Sequence, residues 1–104
     1  MKRGEVWWAD LPAPAGGRPV VLLSRDAAYG IRTSITVAPI TRTVRDIPVE
    51  VPLGREDGLR ATCVVSLDDI TTIPKALLTR RVSLLSQARI EAIEVAIRFA
   101  LDLA

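Results

Sequence analysis

An α+β domain is predicted for this chain: a twisted antiparallel sheet or small open barrel of six or seven short strands, capped by one C-terminal helix. Three observations predict it. Between Glu5 and Leu85, short apolar stretches alternate with turns rich in Pro, Gly and charge. From Ser86 the pattern changes to a helical one and holds to about Leu103. The length, 104 residues, suffices for one domain over 1–104 and not for two.

The elements follow in order. Glu5–Leu11, E-V-W-W-A-D-L, reads as a first strand, and its adjacent Trp7 and Trp8 must point to opposite faces. One is expected in the core. The other, half exposed, could stack on a base or lie under a loop or partner. Pro12–Gly17 is an uncharged loop. Pro19–Ser24, P-V-V-L-L-S, is a continuous apolar run, as expected of a strand buried on both faces. Arg18 stands at its entry.

Arg25–Thr33 is a polar loop. Ser34–Ile40 alternates Ile35 and Val37 with hydroxyl residues, and Pro39 marks a strand end or edge. Thr41-Arg42-Thr43 follows, with hydroxyls on both sides of a guanidinium. Ile47–Leu53 reads as an edge strand because of Pro48 and Pro52. After the charged turn Gly54–Gly58, Leu59–Leu67 holds the run T-C-V-V-S-L, a further buried strand. Asp68–Pro74 leaves it, Lys75–Leu78 is a short turn, and Arg80–Leu85 is the last strand.

Ser86 is the expected N-cap of the helix. Its polar residues Gln87, Glu91, Glu94, Arg98 and Asp102 make one narrow stripe. The remaining arc is apolar and wide enough to cover a sheet and meet a partner as well.

Composition excludes several function classes. The chain has no histidine, which removes Ser–His and Cys–His catalysis and the histidine pair that many ribonucleases use. A single cysteine, Cys63, allows no disulfide or cysteine metal cluster and fits a reducing cytoplasm. It sits in an apolar run and reads as core. No signal-peptide pattern precedes the first strand, and no apolar run approaches the ~20 residues of a membrane helix. No glycine-rich phosphate loop and no zinc spacing occur. Net charge is only +2, yet twelve of the fourteen basic residues are arginine, suited to bidentate contacts with phosphate or carboxylate.

What remains is a constellation at strand ends: Arg18, Thr41, Arg42 and Asp68, with Ser24 and Thr62 near them in pattern. An arginine and a threonine can hold and neutralise a pentacovalent phosphate. A carboxylate can take a proton from an attacking hydroxyl, and RNA carries that nucleophile itself as the 2′-OH. The ordinary reading of such residues is a solvated strand end.

An ordered series of segments decides between these. R-G-E-V-W-W-A-D-L at Arg3–Leu11, R-P-V-V-L-L-S at Arg18–Ser24, V-A-P-I-T at Val37–Thr41 and V-E-V-P-L at Val49–Leu53 come first. G-L at Gly58-Leu59, V-V-S-L-D at Val64–Asp68, T-I-P-K at Thr72–Lys75 and R-R-V-S-L-L-S before the final helix follow. In this series the chain resembles the MazF/PemK toxins along essentially its full length. The resemblance implies an SH3-like small barrel with a C-terminal helix, related to the CcdB and PemK folds, acting as a cytoplasmic homodimer. It implies cleavage of single-stranded RNA at short sequences by 2′-OH attack, without metal or cofactor, leaving a 2′,3′-cyclic phosphate and a 5′-hydroxyl. It also implies a cognate antitoxin whose tail lies along the RNA groove.

The family's shared catalytic pair maps onto Arg18 and Thr41. In the Kid/PemK branch an aspartate is the proposed base and the arginine two residues before it the proposed acid. The aspartate maps onto Asp68, but Ser66 stands at the acid's position. Arg18 would then assist the leaving group, and with a guanidinium pKa above ~12 its role is charge stabilisation first. Ser24, Arg42 and Thr62 are candidate substrate contacts. The loop before Arg18 is shorter and less charged than in many relatives, and I-T-T-I-P at Ile70–Pro74 lacks an arginine that the family often places near the dimer face. A gyrase-binding toxin of the CcdB type, or an RNA binder without cleavage, is the alternative on the same fold.

Overall fold

The computed structural model describes residues 1–104. Its central strand is β2 (Gly17–Leu22), the continuous apolar run of the sequence. It lies between β1 (Glu5–Asp10) and β3 (Ser34–Thr41). Both of its faces are buried: Val21 enters one apolar cluster, Val20 and Leu22 another. The other strands are β4 (Glu50–Leu53), β5 (Cys63–Ser66), β6 (Thr71–Pro74) and β7 (Leu78–Leu84). They form one open antiparallel sheet in the order β4-β5-β3-β2-β1-β7, with β6 also on β3. The curled, barrel-like sheet is not closed, since β4 and β7 end the path. Pro48 and Pro52 correctly marked β4 as an edge.

Two helices complete the chain: the single turn α1 (Ala28–Ile31) and α2 (Gln87–Ala100). Ser86 caps α2, its hydroxyl accepting from the Arg89 N–H at 3.2 Å. Ile93 and Ala96 of α2 close the first cluster over Val6, Ala38, Ile40, Val51, Val65 and Leu67. The second cluster, Ala9, Val20, Leu22, Ile35, Val37 and Ile73 with Tyr29, lies on the opposite face of the central strands, and Trp7 packs against it. Trp7 is therefore the core tryptophan; its indole N–H donates to Glu5 at 3.0 Å. No helix is long and apolar enough to cross a membrane.

Three sequence expectations need correction. Thr71–Pro74 is not a strand exit but β6, paired with Ser34–Val37; its β-branched Thr71, Thr72 and Ile73 favour that state. The edge strand begins at Glu50, not Ile47. The Glu50 carboxylate accepts from the N–H groups of Arg45 and Asp46, both at 2.9 Å. It holds the preceding segment as a loop, with Asp46 left-handed at φ 56°. The buried strand of the T-C-V-V-S-L run spans only Cys63–Ser66, and Leu67–Asp69 turns as a short 3₁₀ helix.

α2 leaves part of its apolar arc uncovered. Val95 and Phe99 are 63% and 62% exposed, and Leu101 and Leu103 beyond them are exposed too.

Candidate active site

The register explains where a cleft forms. β2 pairs with β3 from Leu22↔Val37 to Val20↔Pro39 and no further. Pro39 has no N–H to donate, nor has Pro19 on the facing strand. Past this point β3 keeps a partner on its other edge only, through Ile40↔Val65 and Thr41↔Val64. Continuing the broken register would set Thr41 opposite Arg18. The strands part where those two residues stand, and a cleft of ≈ 560 Å³ opens between them.

Arg18, Thr41 and Arg42 all line it. The Thr41 hydroxyl oxygen accepts from the Thr43 N–H at 3.1 Å, leaving its own hydrogen free to donate. One terminal nitrogen of Arg18 donates to the Ala15 carbonyl at 3.1 Å, which anchors the guanidinium across the mouth of the β1–β2 loop. Its Nε is buried and has no partner. A buried N–H without an acceptor is costly in a folded protein, and an oxygen entering the cleft would satisfy it.

Arg60 and Arg80 were not named as site residues from the sequence, yet they line the same cleft, and so does Trp8, one of the two tryptophans that the sequence offered for stacking on a base. Arg80 faces Trp8 across the β1–β7 ladder, its guanidinium 5.4 Å from the ring centroid. The Trp8 indole N–H donates to Asp10 at 3.3 Å. Gly17 lets the ring lie flat on the β2 backbone: a Cβ there would come within 2.8 Å of Trp8 Cζ2. Four arginines thus converge, and no aspartate or glutamate lines the cleft.

One wall is the segment from Gly58 to Ala61, and it is fixed from below. The buried Asp57 carboxylate accepts from the Gly54 N–H at 2.9 Å and from Arg89 Nε of α2 at 3.1 Å. The Asp57 carbonyl accepts from Ser83 of β7 at 2.8 Å. Gly58 follows at φ 87°, with Ser83 so close that a Cβ would clash at 2.6 Å. Cys63 forms part of the floor. Burial pushes its thiol up, Asp57 adds to this and Arg42 opposes it, so the sulfur is held as a neutral thiol and not as a nucleophile.

The other expected site residues lie elsewhere. Ser24 is structural: its hydroxyl accepts from the Thr36 N–H at 2.8 Å and fixes the approach to β3. Thr62 is exposed in the bend before β5 and does not line the cleft, although Ala61 and Cys63 on either side do. Asp68 is exposed on the turn after β5. Because β5 runs antiparallel to β3, the chain beyond Val65 moves away from Thr41, and Asp68 lies on the turn between Val65, opposite Ile40, and Thr71, opposite Val37, outside the cleft lining. Within one chain, Asp68 is not placed to act as base at Arg18 and Thr41.

Residues 2–101 match a family model described as PemK-like, MazF-like toxin of type II toxin-antitoxin system. The chain is 41% identical over 101 residues to the Mycobacterium tuberculosis protein named probable endoribonuclease MazF5, across 96% of this chain and 92% of that one. It is 42% identical over 86 residues to endoribonuclease MazF3 of the same species, across 83% and 84%. Among solved structures it is similar to M. tuberculosis toxin MazF-mt6, with a TM-score of 0.90, 38% identity and coverage of 96% and 98%. A mycobacterial endoribonuclease solved in complex with its cognate antitoxin superimposes with a TM-score of 0.89 at 29% identity, covering 100% of this chain and 97% of that one.

Proposed function

This chain belongs to the PemK/MazF family and is the endoribonuclease toxin of a type II toxin–antitoxin system, and we propose that it cuts single-stranded RNA with Arg18 and Thr41 on the scissile phosphate. The observation that carries the assignment is the unmet Arg18 Nε beside the free Thr41 hydroxyl, at the point where β2 and β3 part. The 2′-oxygen attacks phosphorus as its proton passes to water, the bond to the 5′-oxygen breaks as that oxygen takes a proton from water, and the products carry a 2′,3′-cyclic phosphate and a 5′-hydroxyl. Negative charge grows on the non-bridging oxygens as the pentacovalent state forms. Donors already aimed at that position stabilise it without reorganising. Arg42, Arg60 and Arg80 supply positive potential along the strand and draw the polyanion in. With no carboxylate in the lining, this surface acts by charge stabilisation, and the Asp68 of the same chain lies outside it.

The same electropositive cleft suits an acidic tail of a cognate antitoxin, which would block RNA by occupying its phosphate contacts. A second copy of the chain suits the uncovered apolar arc of α2 around Val95 and Phe99. The reaction is assigned to the cytoplasm, where RNA is available.

The experiment is incubation of the purified protein with single-stranded RNA in excess EDTA, followed by end-group analysis. Cyclic phosphate and 5′-hydroxyl ends are expected. Products with 5′-phosphates, or activity lost with the chelator and restored by a divalent cation, would overturn the mechanism. Intact RNA together with trapped gyrase–DNA breaks would point to the gyrase-binding alternative.

A further inference from the structure

Trp8 lies on the strand next to that of Arg18, opposite Pro19 and so diagonal to Arg18, about 6 Å away in backbone spacing, and both line the cleft. That is within the reach of one nucleoside from its phosphate. The ring is held flat by Gly17, tethered through its N–H to Asp10 and half exposed in the cleft. Aromatic rings in such grooves stack bases of any kind. The surrounding side chains are more selective. Arg80 sits over the ring, and a guanidinium offers N–H donors and no acceptor. The other polar side chains of the lining are Arg18, Arg42, Arg60 and Thr41, and no carboxylate, carboxamide or imidazole is among them. A base presenting carbonyl oxygen finds donors here. A base presenting an exocyclic amine finds almost no side-chain acceptor and loses hydrogen bonds it had in water.

We propose that Trp8 and Arg80 form a base subsite beside the scissile phosphate that selects keto bases, guanine or uracil, over the amino bases adenine and cytosine. Trp8 supplies the stacking platform on the face that Arg80 covers in the free protein, and the exposed Arg80 side chain moves off that face to read the carbonyl. For guanine the reading is bidentate, through O6 and N7. The inference rests on the reading of this cleft as the RNA site, and its test does not depend on cleavage.

Trp7 and Trp8 are the two tryptophans of the chain, so Trp7→Phe leaves Trp8 as the sole indole reporter. Five-residue 2′-O-methyl RNAs, which lack the attacking hydroxyl, are titrated against this protein. Each is all cytidine apart from a central guanosine, inosine, uridine or adenosine. Inosine and adenosine are both purines and differ chiefly in the group at the 6-position. Guanosine, inosine and uridine are expected to quench Trp8 fluorescence and to bind about tenfold tighter than adenosine. Arg80→Met should bring inosine down to the level of adenosine. Arg80→Lys keeps the charge but not the fork, and should weaken the preference with little change in salt dependence. Equal binding of inosine and adenosine, or a preference that survives Arg80→Met, overturns the proposal. If the unmodified protein cleaves RNA while inosine and adenosine bind alike, the subsite fails and the ribonuclease mechanism stands. If it cleaves no RNA of any sequence, that mechanism fails and the titration still decides the subsite.

Discussion

Two sets of arginines in this molecule do opposite work. Arg3, Arg81 and Arg89 are each paired with a carboxylate: Arg3 with Glu94 at 2.7 Å, Arg81 with Glu5 at 3.0 Å, and Arg89 with Asp57 and Glu56, both at 3.1 Å. These pairs tie α2 and β7 to the N-terminus and to the wall of the cleft. Arg18, Arg42, Arg60 and Arg80 converge on one cleft, and none of them has a carboxylate partner. The residue type is the same; what differs is whether the fold supplies the counter-charge or leaves it to a ligand. An unpaired guanidinium cluster repels itself, and its one partly buried member, Arg18, holds an unmet Nε, so a site like this one is completed by an anion.

The largest effect should come from breaking the unpaired set at its most exacting member. Arg18→Ala removes the buried Nε donor and should slow cleavage by about 10²–10³, as loss of one donor to a developing oxyanion does. Thr41→Ala should act in the same range. Neither side chain ties elements of the fold together, so thermal unfolding should shift by less than about 1 kcal/mol. Wild-type cleavage by either variant would separate the cleft from the chemistry. For the remaining cleft arginines the measurement is salt dependence. RNA affinity should fall with a log–log slope that shrinks by about 0.7 for each arginine replaced by methionine. The same replacement at Arg3 should leave the slope unchanged.

The paired set breaks differently. Asp57→Ala leaves the Gly54 N–H unsatisfied and leaves Arg89 with only the exposed Glu56 as partner. A cost of about 2–4 kcal/mol is expected in denaturant unfolding, at the lower end if Arg89 swings to solvent. Because Asp57 is the foot of the segment carrying Leu59 and Arg60, KM should also rise while the residual kcat stays closer to wild type. A stability loss with unchanged KM would mean that the wall holds its shape without this pair.

Acid should loosen the Arg81–Glu5 pair. Burial raises the Glu5 carboxyl, but bonds from the Trp7 indole and the Lys2 N–H, with the N-terminal ammonium and Arg81, outweigh it and hold the pKa below its ordinary value. A carboxyl lowered in the folded state binds fewer protons there than in the unfolded chain. Its stabilisation is therefore complete above the ordinary carboxylate range near ~4.3 and is lost as pH falls below it. Glu5→Gln should flatten that part of the stability profile. An unchanged acid limb would place the loss at other carboxylates.

Much of this arrangement was legible before any coordinates. The P-V-V-L-L run gave a strand buried on two faces, the prolines of β4 gave an edge, and Ser86 gave a cap. Each of these is set by nearby residues. Arg18 and Thr41 were singled out through motifs and both line the cleft, and the nearby Pro19 and Pro39 stand where the β2–β3 ladder stops. Trp8 and Arg80 were not found together because their meeting depends on β1 pairing with β7, a long-range register that no local pattern encodes. Alternation correctly predicted that Trp7 and Trp8 part to opposite faces, but which face is the core is a tertiary fact. Asp68 stands apart from Arg18 and Thr41. The family motif assigns it to the site, whereas the turn after β5 holds it outside the cleft of its own chain.

The smallest effect tests whether pairing itself matters at the surface. Arg3 and Glu94 are each about one-third exposed (35% and 31%) at 2.7 Å. Arg3 does more than pair: its Nε donates to the Leu23 carbonyl at 3.2 Å, and its backbone N–H donates to Asp26 at 2.7 Å. Arg3→Ala alone would therefore overstate the ion pair, since the Leu23 carbonyl loses its donor too. A double-mutant cycle with Glu94→Ala removes that excess, because it is common to both sides of the cycle. The coupling should be about 0.2–1 kcal/mol and should fade in 1 M salt. A larger, salt-resistant coupling would make this contact a buried lock between α2 and the N-terminus. α2 could then not be treated as a helix held chiefly by Ile93 and Ala96 in the first apolar cluster.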